Sequence, residues 1–302
     1  MPYAALIGLA LIWGASFLFI KVAVADMSPE VLLLLRSASG LLTLVVLVRL
    51  MGRPLLSAGW RTRLVSFAIM AVTNAVIPWI LIAWGEERIT SGLASILNAT
   101  TTLWTAVLIF WVMPSERPSP INYAGVLIGF AGVVVLVSPE LASHGVSGNF
   151  FGAMAVVLAS LSYAVNAVYQ RRKMRSVSVF EVSIGQLLAT VVFAIPLAAP
   201  TIAQVHVRPL SLAAVLALGA AATGVAYLLY YYVMNTLGAV RAAGVTLLVP
   251  ITALFWGVAL LHESLSGPII IGMVVILAGI VLTNLRRQPR REPAVEPDSA
   301  AA

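Results

Sequence analysis

The sequence predicts an all-α integral membrane protein of ten transmembrane helices, arranged as two inverted five-helix repeats. Three observations carry that prediction. Of the 302 residues, 61% are hydrophobic and 10% charged, with a mean hydropathy of +1.03; a soluble domain carries roughly 45–50% apolar and about 25% charged residues. The few charges are spaced so that long apolar runs separate them. The two halves of the chain match when one is displaced onto the other.

A bilayer-spanning helix needs about 20 mostly apolar residues. Taken in order, the charge-free runs are 2–20, 64–85, 90–115, 118–139, 141–170, 182–207, 209–240, 242–261 and 264–285. A tenth span, 29–50, holds Arg36 in its interior. The first run is expected to be a retained helix and not a signal peptide. Ala23-Val24-Ala25 resembles a small-residue cleavage site, but no positive segment precedes the run and Lys21 sits beside the site. The last stretch, 287–302, is polar and Pro/Ala-rich and is expected to be a disordered cytoplasmic tail.

Lys and Arg in short loops set orientation. With both termini cytoplasmic, the inner loops carry Arg49, Arg53, Arg61, Arg63, Arg117, Arg171, Arg172, Lys173, Arg175 and Arg241, and the tail adds Arg286, Arg287, Arg290 and Arg291. The outer loops carry only Arg88 and Arg208, together with Asp26, Glu30, Glu86, Glu87, Glu140 and Glu263. The net charge of +7 is therefore a signal of orientation in the inner membrane, and nucleic acid is not expected as a partner. There is no cysteine, and His144, His206 and His262 lie in or beside connecting segments. Thiolate chemistry is excluded, a buried imidazole catalyst is not expected, and no cofactor or metal is called for.

A displacement of 150 positions brings Leu11 onto Leu161, Trp13 onto Tyr163, Ser16 onto Asn166, Lys21 onto Arg171, Thr73 onto Thr223 and Leu97 onto Leu247. Near the end of each half, a displacement of 147 brings Glu116, Gly125 and Gly132 onto Glu263, Gly272 and Gly279. The halves are 1–139 and 140–286. Five helices is an odd number, so the second copy enters the membrane from the opposite side. Inverted repeats around a midplane site are a recurring plan of secondary transporters.

The segment Leu11-Ile12-Trp13-Gly14-Ala15-Ser16-Phe17, the Leu35-Arg36 pair and the Pro250…Glu263…Gly272…Gly279 pattern resemble the drug/metabolite transporter superfamily, in particular its ten-helix EamA-type exporters, over roughly residues 4–285. The first half departs from the pattern, with Thr100 where the second has Pro250. The resemblance implies export or facilitated passage of small metabolites through a central cavity. It does not name the substrate.

Polar and aromatic residues inside spans are costly unless they face protein or water. The candidate substrate-binding set is Trp13, Ser16 and Phe17 in the first helix, Asn74 and Pro78 in the third, Asn98, Thr101 and Thr102 in the fourth, Tyr163 and Asn166 in the sixth, Tyr227 in the eighth, and Thr246 and Pro250 in the ninth. Thr105, Thr223, Tyr230 and Tyr231 belong to the same polar-aromatic population. Pro78 and Pro250 each free a carbonyl four residues back, at Asn74 and Thr246. Lys21 is expected to snorkel, and Arg36 to bond backbone between helices in preference to holding a substrate carboxylate. With Glu30, Glu116, Glu181 and Glu263 at helix ends and no carboxylate at the centre of a span, facilitated diffusion is favoured over proton antiport. The expected activity is movement of a small organic metabolite, an amino acid or related compound, by alternating access. The partners are the substrate and the bilayer; a monomer suffices for the pathway. Proton-coupled antiport is the alternative, ahead of a channel or a lipid-modifying enzyme; the last would need a cluster of Asp, Glu, His or Cys near one interface.

Overall fold

A computed structural model of the chain describes residues 1–112, 119–203, 208–238, 242 and 244–285. Glu116 of the repeated pattern, Arg117, Arg241, His206 and the 287–302 tail lie outside the described residues.

Among the described residues ten apolar helices follow one another: α1 Pro2–Ala23, α2 Pro29–Leu50, α3 Trp60–Glu86, α4 Ser91–Val112, α5 Pro120–His144, α6 Gly148–Lys173, α7 Val179–Ile202, α8 Pro209–Leu237, α9 Val245–Leu261 and α10 Gly267–Asn284. No strand occurs among the described residues. Local chemistry sets the starts. Pro2, Pro29, Pro120, Pro209 and Pro268 occupy first turns, where a missing N–H has no cost. Thr90 Oγ1 accepts from Leu93 N at 3.2 Å and caps α4. Large apolar side chains such as Leu42, Val192 and Val274 are 66%, 58% and 57% exposed, as a lipid-facing surface requires.

Three spans are internally irregular. Residues Val72–Val76 of α3 and Ala220–Val225 of α8 form π-helical turns, and these turns overlap when the chain is displaced by 150 positions. Helix α4 is interrupted at Ala99 and Thr100. No proline does this. Instead Thr100 Oγ1 donates to Leu97 O at 2.6 Å and Thr101 Oγ1 to Asn98 O at 2.8 Å, while Ser160 Oγ of α6 reaches the same two carbonyls at 3.2 and 3.3 Å. Hydroxyls that bond carbonyls of the preceding turn bend helices. Helix α9 carries Pro250 instead.

Helix α1 packs on α8 and α9, α6 on α3 and α4, α2 on α7 and α8, α7 also on α3, and α5 on α10. Exchanging α1–α5 with α6–α10 maps this set of contacts onto itself. The α5–α10 contact is backbone-close. A Cβ on Gly279 would stand 2.4 Å from Gly129 N, and one on Gly125 would stand 2.5 Å from Thr283 N. Small residues permit such an approach in lipid. Ten crossings return the chain to the face where it began, here termed the terminal face; the other is the opposite face.

Candidate functional site

Helices α1, α3, α4, α6, α8 and α9, with Arg36 from α2, enclose a cavity of about 440 Å³, within the size range of small-molecule sites. Trp13, Ser16, Phe17, Asn74, Asn98, Thr101, Thr102, Tyr163, Asn166, Tyr227, Thr246 and Pro250 all line it, as do Thr223 and Tyr230. Three of the residues singled out in the sequence lie elsewhere. Thr105 Oγ1 bonds its own helix at Thr101 O, 2.7 Å away. Tyr231 packs on Phe180, with ring centroids 4.8 Å apart.

Pro78 is the third, and its displacement has an exact cause in helical register. In a regular α-helix, residue 78 shares the face of Asn74. The π turn at Val72–Val76 inserts an extra residue, so the residues that follow Asn74 into the cavity are Trp79 and Ile82. Within that turn Ile77 N bonds Val72 O, five residues back. The same reach from position 78 would end on Thr73 O, and proline has no N–H to offer. Ser162 Oγ of α6 donates to that carbonyl at 2.8 Å. The expected open carbonyl at Asn74 is thus replaced by an interhelical bond one residue earlier.

On the other side of the cavity, Trp13 Nε1 donates to Ala222 O in the π turn of α8 at 3.2 Å. Its ring lies 5.6 Å from that of Tyr230. π turns are frequent at functional sites, and here both present backbone and side chains to the same space.

Arg36 is 8% exposed. Its Cζ stands 3.8 Å from the ring centroid of Trp79, and its Nε donates to Thr223 Oγ1 at 3.5 Å. The guanidinium therefore belongs to the cavity wall and also links α2 to α8 through a hydroxyl. Among the described residues it is the one charged side chain in that wall. Asn74 Nδ2 donates to Gln186 Oε1 at 3.1 Å, and Thr73 Oγ1 donates to Asn166 Oδ1 at 3.4 Å. Asn98 Oδ1 is buried without a partner among the described residues. Ser95 and Gln170 also line the space. Ser95 stands three residues before Asn98 and Gln170 seven after Tyr163, spacings that already placed them on the same faces.

The two ends of the cavity differ. Helix α1 packs against the Ser91–Asn98 part of α4, and so does α9. Among the described residues, the counterpart pair α6 and α9 makes no comparable contact, nor does α9 with the Thr101–Val112 part of α4. The helices are closed together at the opposite face and diverge toward the terminal face. Lys21 Nζ donates to Glu86 O and, at 2.8 Å, to Ile89 O. It ties α1 to the end of α3 instead of snorkelling to headgroups, and its charge suits a helix C-terminus. Glu263 caps α4: Ser91 N donates to its Oε1 at 2.7 Å and Gly92 N to its Oε2 at 3.1 Å. Glu86, expected in a connecting loop, is the last residue of α3 and is fully buried.

Comparison with known proteins agrees with this architecture. The chain matches the EamA-like transporter family over residues 1–138 and 150–285. It is 28% identical to the inner membrane transporter YedA of Escherichia coli (strain K12) over 94% of this chain and 90% of that one. It is 23% identical to the transporter YoaV of Bacillus subtilis (strain 168), over 95% and 97% respectively. One solved crystal structure superposes with a TM-score of 0.65 at 22% identity, covering 94% of this chain and 96% of its own, and shares the fold. A ten-helix membrane architecture and a family match in both halves lead to one conclusion: the chain belongs to the EamA-like transporter family.

Proposed function

We propose that this transporter moves a small organic metabolite bearing a carboxylate and an apolar or aromatic portion, an amino acid or a close relative. The observation that carries the reading is the cavity's charge: Arg36 lines it with no carboxylate beside it among the described residues. A lone guanidinium at low dielectric favours an anion and binds carboxylates through paired N–H donors. Asn98 Oδ1, without a partner, suits an ammonium or hydroxyl of the same ligand. Trp13, Trp79, Tyr163, Tyr227 and Tyr230 offer the apolar wall.

Movement occurs by alternating access between two halves, 1–139 and 140–286. The exchange symmetry of the helix contacts supports this division, because swapping the conformations of the halves would open the opposite face and close the terminal one. The Lys/Arg distribution supports a cytoplasmic terminal face, which makes the present arrangement inward-facing and the direction export or facilitated diffusion. Proteoliposomes test the reading. Saturable uptake of radiolabelled aromatic or aliphatic amino acids, accelerated by unlabelled substrate on the far side, is the expected result. Absence of saturable flux across a broad carboxylate panel would overturn it.

A further inference from the structure

Glu86 is 0% exposed, and both of its carboxylate oxygens are buried with no hydrogen-bond partner among the described residues. It lies at the joint where α1, α3 and α4 close over the cavity at the opposite face. An ionised carboxylate there would need a compensating donor or cation, and among the described residues no charged group bonds its oxygens. From α1, Lys21 gives Nζ to the backbone carbonyls of Glu86 and Ile89. From the α9–α10 connection, Glu263 is a second negative charge, with both oxygens on the amides of Ser91 and Gly92. From α2, Arg36 lies over Trp79 in the cavity. Glu87 and Arg88 pair with each other at 2.8 Å. Helix α4 has no charged residue, and those of α6 stand at its other end.

We infer that Glu86 is a proton-binding site that gates the opposite-face closure. The inference rests on the alternating-access reading above. In the closed arrangement the carboxyl is neutral, because no donor or cation meets its oxygens. Separation of α1 from α3 and α4 releases Lys21 from the carbonyls, admits water to Glu86 and lets the proton leave to that water; closure takes it back. Protons from the opposite compartment therefore favour closure. Glu86 still stands at a span end, but burial sets it apart: Glu86-Glu87-Arg88 reads as a polar loop in the sequence, and only the packing of the joint encloses the first of the three.

The chain has no cysteine, so Ala25→Cys with Asn149→Cys places two unique spin labels at exposed positions across the joint. Inter-label distances are measured in nanodiscs over a pH series, in the otherwise unaltered protein and with Glu86→Gln. The expected result is a shift to longer distances as pH rises, and a short distance at every pH in the Glu86→Gln background. Distances that ignore pH, or a response that survives Glu86→Gln, would overturn the gate. Infrared titration of the unsubstituted protein guards against misfolding of the variant. A protonated-carboxyl band must disappear over the same pH interval as the distance change, and its absence likewise overturns the proposal. No transport substrate enters either measurement, so failed flux and a failed gate are distinguishable.

Discussion

Arg36 is the residue on which ligand choice turns. A hydrogen bond to a charged group contributes about 1.5–3 kcal/mol, so Arg36→Gln should weaken binding of carboxylate ligands by about 10–150-fold. Loss of the cation should leave the apolar wall and the fold intact. Thermal stabilisation of the purified variant by the same ligand panel measures this; an unchanged ligand-induced shift would remove Arg36 from the site. Arg36→Lys should recover only part of the affinity, because a point charge lacks the planar fork. Replacing Trp13, Asn98 and Tyr227 together by Ala should abolish saturable flux while the protein still purifies as a folded species; unchanged flux would move the pathway elsewhere. Most of the cavity wall was legible in the sequence because a polar or aromatic residue in a 20-residue apolar run is itself exceptional. Arg36 was visible by the same rule. Its role was not, since only tertiary structure shows Trp79 beneath the guanidinium and Thr223 of α8 beside it.

At the scale of the helix, register and close approach decide what a residue does. Nine charge-free runs and the Arg36-bearing run 29–50 located the ten spans, because the bilayer imposes length and apolarity on each of them. They missed the π turn in α3, because one inserted residue leaves hydropathy unchanged while rotating everything after it. Pro78 left the cavity and Trp79 entered it for that reason alone. The break in α4 was hidden similarly, since Thr100 and Thr101 hydroxyls bend the helix where the equivalent stretch of α9 uses Pro250. The glycines were more informative. Gly279→Ala puts a methyl group 2.4 Å from the backbone of Gly129 and must force α5 and α10 apart. A loss of about 1–3 kcal/mol or more is expected for such overpacking. Gly8, inside α1 with nothing within 4 Å of its would-be Cβ, is the control. Gly8→Ala should be neutral or stabilising by about 0.5–1 kcal/mol. Apparent melting temperatures in one detergent compare the two, and equal effects would refute the close-contact account.

Across the whole molecule, two carboxylates on the opposite face answer pH in opposite senses. Asp26, in the α1–α2 connection, accepts from Arg208 Nε on both oxygens at 2.8 Å and also from Ser211 Oγ. The hydrogen bond from Arg208, then that from Ser211, holds its pKa below the ordinary carboxylate value. A group depressed on folding contributes stability that is present above its unfolded pKa, about 3.9, and is lost as pH falls through the lower folded value. This tie joins the end of α1 to the start of α8, helices that pack together directly, so it holds one side of the molecule to itself and does not cross the joint that opens. Asp26→Asn should therefore flatten the acid limb of a melting-temperature profile without moving the spin-label distances. Glu86→Gln should do the reverse, fixing the distances and leaving the acid limb of the profile in place. If Asp26→Asn instead altered the pH response of the joint, α1 and α8 would have to separate during the cycle, and the division of the bundle into moving parts would need to be redrawn along that seam.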